Sequence, residues 1–148
     1  MNIGVVLGEP SNGLVDIDLD CKEAVALAKQ FLPHTDLRFG RESSPESHLV
    51  FGIEEPGSSV QFSSSDKGML LEYRSTGTQT MFPPSIHPEG ETVRFDSEGD
   101  PAPVRRENLL KSASKLAAAC LISKAWIGGS RHEIALALSG WLLRSGCP

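Results

Sequence analysis

No stretch of this chain stays apolar for anything near the roughly 20 residues that a bilayer-spanning helix needs, and no basic segment followed by an apolar one opens it. A soluble, cytoplasmic protein without a membrane partner is therefore expected. Cysteine is scarce. Cys21, Cys120 and Cys147 are odd in number, far apart and in no metal-ligand spacing, which points to reduced thiols rather than to disulfides or zinc. No internal repeat is visible. What is there fits an ordinary domain: 148 residues, 39% hydrophobic and 22% charged, close enough to globular averages that disorder is not indicated.

The net charge of -5 conceals an asymmetry. Residues 1–103 hold seven Lys and Arg against seventeen Asp and Glu, whereas residues 104–148 hold seven against two. An acidic part suited to metal chemistry beside a basic part suited to a polyanion is one reading, and a solvated basic helix is the other. The expected organisation is a core over 1–103 followed by a basic helical segment over 104–148.

A continuous apolar strand is expected at Ile3–Leu7, ended by the turn signal Gly8-Glu9-Pro10-Ser11-Asn12-Gly13. Leu14–Leu19 alternates, with Val15, Ile17 and Leu19 on one side and Asp16 and Asp18 on the other. Asp20 reads as a helix N-cap with Glu23 completing a capping box, and the helix runs to about Leu32, before Pro33. Short strands follow at His48–Ile53, Ser59–Phe62, Met69–Arg74, Thr78–Phe82 and Thr92–Phe95, with tight connections that favour an antiparallel or mixed sheet. Asp96–Pro103 reads as a linker. Leu109, Leu110, Ala113, Leu116, Ala117 and Leu121 recur at helical spacing, and the pattern stops before Gly128-Gly129. Ser130, with Glu133 three residues on, predicts a second helix whose core face includes Ile134, Leu138, Trp141 and Leu142. Trp126 and Trp141 read as packing residues, and the pair of helices as a hairpin on or beside the sheet.

Alternate residues of a strand project from one face about 6–7 Å apart, so the carboxylates of Asp16 and Asp18 repel unless a cation or solvent intervenes. Mg²⁺ takes one or two carboxylates plus substrate phosphates, and two such ions can clamp an in-line phosphoryl displacement. The pattern alone more often marks an amphipathic edge strand with its polar face in water. Three further segments bear on the choice. Phe39-Gly40-Arg41 is a polar loop feeding the strand Ser47-His48-Leu49-Val50-Phe51, where His48 and Arg41 can donate to phosphate oxygens. Glu72 interrupts the strand Leu70–Arg74 and offers a third carboxylate, with Arg74 on the same face. Pro83-Pro84-Ser85-Ile86-His87-Pro88-Glu89-Gly90 is a rigid turn directly after a strand.

Taken in order, Ile3–Gly8, Gly13–Asp18, Ser47–Phe51, Glu72–Gly77 and Pro83–Gly90 resemble the catalytic domain of bifunctional DNA primase–polymerases, of the archaeo-eukaryotic primase superfamily, often encoded by phages and plasmids. The resemblance spans residues 3–95. It implies an α+β fold with an RRM-like mixed or antiparallel sheet flanked by helices, to which the residues beyond it add a C-terminal helical hairpin. It implies a template-directed nucleotidyltransferase, a DNA primase and polymerase in the replication of a phage or plasmid-type element. Asp16, Asp18 and Glu72 match the metal carboxylates of a two-metal Mg²⁺ or Mn²⁺ site. His48 matches the histidine on the nucleotide's phosphates, with Arg41, Ser47 and Arg74 around the same pocket. The implied partners are nucleoside triphosphates and a single-stranded DNA template.

Two features depart from the family pattern. Glu46 stands where a small residue is usual, and members normally carry a further α/β stretch before the strand that begins here at Ile3. The segment Gly128–Glu133 resembles, more faintly, the link to a downstream helicase module or subunit. Lys111, Lys115, Lys124, Arg131 and Arg144 are candidate phosphate contacts on DNA. Two other readings use the same residues: a nucleic-acid or nucleotide-binding remnant of a primase without turnover, and a metal-dependent nuclease.

Overall fold

The computed structural model describes residues 1–66 and 68–146, so Cys147 of the expected thiols lies outside the described residues. The elements are β1 (Ile3–Val6), a 3-10 turn (Glu9–Ser11), β2 (Leu14–Leu19), α1 (Lys22–Phe31), β3 (Arg38–Arg41), β4 (Ser44–Gly52), β5 (Val60–Ser63), β6 (Met69–Arg74), β7 (Gln79–Phe82), β8 (Arg94–Ser97), β9 (Ala102–Pro103), α2 (Arg106–Ala125) and α3 (Arg131–Arg144). The α+β class expected from the sequence is the one observed. No helix among the described residues is long and apolar enough to cross a membrane.

The main sheet runs β5-β6-β2-β4-β3-β8, each neighbour antiparallel, and β9 adds to β4 in parallel. The acidic strand β2 is thus central, and the edge-strand reading fails: Val15, Asp16 and Ile17 are all fully buried. Alternation sends Val15, Ile17 and Leu19 to the helix-covered face, where they meet Leu49, Phe51, Leu71 and Tyr73 of the sheet and Ala24, Ala28, Leu109, Ala113 and Leu116 of α1 and α2. Each Val, Leu, Ile and Phe among them contributes about 1.5–3 kcal/mol by leaving water. The other face carries a smaller cluster of Phe39, Val50 and Val93 with Met81, Phe82 and Phe95 beside the acidic residues. β1 and β7 form a separate antiparallel ribbon. Gly13, at φ +87°, starts β2 where an added Cβ would lie 1.8 Å from the Ile53 carbonyl, so only glycine fits.

Several expectations are corrected. The N-cap of α1 is Cys21, without a side-chain capping bond, and not Asp20. The Asp20 amide instead donates to the Leu70 carbonyl (3.1 Å), continuing the β2–β6 ladder by one residue. Phe39–Arg41 is no loop but part of β3, paired on both sides. The supposed linker is structured: Asp96 and Ser97 end β8, and Ala102 and Pro103 pair with Phe51 and Gly52. Ser130 caps α3 by position only, its hydroxyl donating back to the carbonyls of Ala125 and Ile127.

The two C-terminal helices differ in kind. α2 buries Leu109, Ala113, Leu116, Ala117 and Cys120 against the sheet and α1, and burial together with the neighbouring Cys21 pushes the Cys120 thiol up to about 12. α3 fully buries none of its residues, and the expected core face is only half covered: Ile134 and Leu138 are half-buried, while Trp141 is 58% exposed and Leu142 43%. Trp126, also expected to pack, is 42% exposed. Leu116→Ala is accordingly expected to cost about 2–5 kcal/mol in a urea titration, whereas Leu136→Ala should stay within about 0.5 kcal/mol. Equal losses in the two variants would contradict this division of the helical segment.

Candidate functional site

The β4–β2–β6 register decides which side chains meet. Asp18 lies opposite His48 on one side and Glu72 on the other, and Asp16 lies opposite Val50 and Arg74. Directly paired residues bring their Cβ atoms to about 4.5–5.5 Å, so His48, Asp18 and Glu72 form one row across three strands, with Arg74 a step along. The contacts then run diagonally. His48 Nδ1 is 2.9 Å from Asp16 Oδ2 and 3.6 Å from Asp18 Oδ1. Arg74 donates from Nη2 to Asp18 Oδ2 (2.8 Å) and from Nε to Glu72 Oε2 (2.9 Å). Gln61 donates to the remaining Glu72 oxygen, Oε1 (3.1 Å). Phe39 stacks flat on His48, centroids 4.6 Å apart, and fixes the ring plane.

A cavity of about 690 Å³ opens on this face. Asp18, Asp20, Arg41, Ser47, His48, Arg74 and His87 line it, along with Cys21 and Lys22 at the start of α1. Asp16 is fully buried beneath them. The cavity wall at Gly40 is bare backbone, because a Cβ there would sit 2.4 Å from the Ser44 carbonyl. The turn after β7 closes one side. Ser85 Oγ accepts from the Ile3 amide (2.8 Å), Asn2 brackets the Ile86 backbone, and the turn then delivers His87 and Glu89 to Arg41. Both donors to His87 Nδ1 are N–H groups, Arg41 Nη1 (2.8 Å) and the Glu89 amide (3.3 Å), so the lone pair is on Nδ1 and the ring proton on Nε2.

Charge and burial oppose each other here. Burial is the largest influence on Asp18 and raises it from 3.8 to about 6; His48 and Arg74 pull downward, while Asp16 and Asp20 push up. Burial also raises Asp20, with Arg74 opposing and Glu72 reinforcing. Burial disfavours the His48 imidazolium, yet Asp16 and Asp18 outweigh it and His48 is raised. Glu46, the departure from the family pattern, is paired away from the cavity with Lys29 (2.7 Å) and Arg38 (3.1 Å).

The donors suit a hard divalent cation: carboxylates on one face, with Asp16 Oδ1 buried and, among the described residues, lacking any hydrogen-bond partner. They are not gathered around a common point. Among the described residues no group of three or more His, Cys, Asp or Glu is so arranged, and His48 and Arg74 stand among the carboxylates.

Of the residues expected from the sequence, the fold brings Asp16, Asp18, Glu72, His48, Arg41, Ser47 and Arg74 to one face or its cavity. Lys111, Lys115 and Lys124 are exposed on α2, which packs on the opposite face, and Arg131 is exposed on α3. Asp20, Phe39, His87 and Glu89 went unassigned. Asp20 extends the Asp16, Asp18 alternation by one step, and that signal was masked by its resemblance to a helix cap.

Because folded Asp18 binds its proton up to about pH 6 and the unfolded chain only to about 3.8, its stabilising contribution is complete below 3.8 and lost as pH rises through 6. Asp18→Asn is expected to melt with the native chain near pH 4 and above it at pH 8, by about 2 kcal/mol or a few degrees. A thermal-denaturation series in which the variant gains nothing between those pH values would contradict the burial argument.

A family model described as bifunctional DNA primase/polymerase, N-terminal, matches residues 1–106. Comparison with curated proteins gives no match, and neither does comparison with solved structures. The matched span holds all nine strands of the described residues, α1 and every carboxylate of the site, and it covers well over half of the chain. The chain therefore belongs to the bifunctional DNA primase/polymerase family.

Proposed function

We propose that the chain is a template-directed nucleotidyltransferase that joins nucleoside triphosphates on single-stranded DNA, as a primase and polymerase. The observation that carries this reading is the in-register set Asp16, Asp18 and Glu72 on one sheet face, bordered by His48 and Arg74. Asp16, Asp18 and Glu72 would hold Mg²⁺ or Mn²⁺. Such ions, when bound, lower the pKa of a 3′-hydroxyl and neutralise the leaving pyrophosphate.

The protein's own groups do the rest. His48, tied through Nδ1 to Asp16 and held flat by Phe39, turns Nε2 to a phosphate oxygen as a donor. Arg41 and Arg74 bind the triphosphate, Ser47 supports the same pocket, and the charge balance of residues 104–148 supports Lys111, Lys115, Lys124 and Arg131 as a DNA anchor remote from the carboxylates. Replication of a phage or plasmid-type element, alongside a helicase module or subunit, is the setting we assign, on the resemblance of the motifs and of Gly128–Glu133.

One observation favours a second reading, a nucleotide- and DNA-binding module without turnover: every carboxylate of the row is already engaged by His48, Arg74 or Gln61. Nucleotide incorporation on single-stranded DNA with Mn²⁺ separates the two. Incorporation that falls at least about 100-fold in Asp16→Ala and in Asp18→Ala is expected, with His48→Ala raising KM for the triphosphate about tenfold. Incorporation unchanged in both aspartate variants excludes the assignment, and salt-sensitive DNA binding with no incorporation in the native chain favours the second reading.

A further inference from the structure

Arg74 stands within the carboxylate row. Its guanidinium bridges two acids of different strands, Nη2 to Asp18 at 2.8 Å and Nε to Glu72 at 2.9 Å, and it faces the cavity with about a quarter of its side chain exposed. Guanidinium is charged at every accessible pH, so this neutralisation cannot be released by a proton. It can be released only by moving the side chain. Asp16, opposite Arg74 in the strand register, keeps its Oδ1 buried and, among the described residues, without a hydrogen-bond partner. The cluster thus has one oxygen waiting for a cation and two others held by a cation of the chain's own.

We infer that Arg74 is a resident counter-ion which a divalent metal must displace, and that an incoming triphosphate draws it off, so that metal and triphosphate bind with positive coupling. This rests on the nucleotidyl-transfer reading of the site. The physical argument is competition at fixed geometry. Metal alone must break both Arg74 ion pairs and leave the guanidinium beside the new dication in a partly desolvated pocket. A triphosphate in the cavity supplies phosphate oxygens for Arg74, in the bidentate geometry that guanidinium favours, and so removes that repulsion. Triphosphate alone meets the mirror-image obstacle, because recruiting Arg74 takes the guanidinium from both acids and leaves Asp18 beside His48 and Glu72 to Gln61 in a partly desolvated pocket. Each ligand therefore prepares the site for the other, with equal coupling in both directions. Arg41 is not part of the device: its partners are His87, Glu89 and Glu91, all on the turn after β7.

The test measures Mn²⁺ binding by paramagnetic resonance, and binding of a non-hydrolysable deoxynucleoside triphosphate analogue by calorimetry, without DNA and hence without turnover. The native chain is expected to bind Mn²⁺ weakly alone and the analogue at least tenfold more tightly when Mn²⁺ is present. Arg74→Gln should bind Mn²⁺ alone about tenfold more tightly than the native chain and lose most of the coupling. Arg74→Lys, which keeps a charge but cannot span both acids, should fall between. Arg41→Gln should weaken the analogue without tightening Mn²⁺. If Arg74→Gln and Arg74→Lys bind Mn²⁺ no better than the native chain, the counter-ion role is wrong while the metal site stands. If the native coupling is absent, the role is equally wrong whatever the variants do. If no protein binds Mn²⁺ with or without the analogue, both this inference and the polymerase-type reading fail.

Discussion

Three antiparallel strands, β4, β2 and β6, share one hydrogen-bond register, and nearly everything described here depends on it. A slip of one residue in β2 would carry Asp16 and Asp18 into the layer now filled by Val15, Ile17 and Leu19, placing ionisable groups against α1 and α2. The strand is buried on both faces, so the slip is opposed twice, once by the aliphatic layer and once by the partners waiting for the carboxylates. Gly13 against the Ile53 carbonyl and the Asp20 amide on Leu70 fix the two ends of the same strand.

On the site face, that register concentrates more negative charge than a half-dry pocket tolerates. Four aspartates and glutamates, Asp16, Asp18, Asp20 and Glu72, share a small region in which His48 and Arg74 pair with them. Burial first, and then the neighbouring carboxylates, raise Asp18 and Asp20 against the pull of His48 and Arg74. Sites of this kind are held in place by surrounding structure that gains nothing from them directly. The aliphatic layer of the helix-covered face performs that service here.

Much of the site was legible in the sequence. Alternation in Leu14–Leu19 is a local property, and it correctly separated the buried aliphatic side from the acidic side. The ordered motifs pointed to His48, Glu72, Arg41 and Arg74, although nothing in the spacing could show that they meet, since that is decided by strand pairing. What could not be read was non-local. β3 looked like a loop because Gly40 and Arg41 carry no strand signature, and it is a strand because β4 and β8 pair with it on either side. The 96–103 segment has the composition of a linker, yet Ala102 and Pro103 find the edge of β4. Asp20 illustrates a conflict between two local rules: a cap signal and an alternation signal overlapped, and the ladder to β6 decided between them. Trp141 and Leu142 have helical periodicity but no surface in the described chain to bury against.

Gly40 carries a consequence of a different order. Main chain from the β3–β4 hairpin presses so close that any other residue would collide with the Ser44 carbonyl and the Glu46 amide. That part of the wall is therefore closed to evolution by point substitution, as surely as if it were cofactor. Diversification of what the cavity accepts has to come from other residues of its lining, such as Ser47 and Met81. Lineages that differ in substrate preference should accordingly vary around an unchanging glycine.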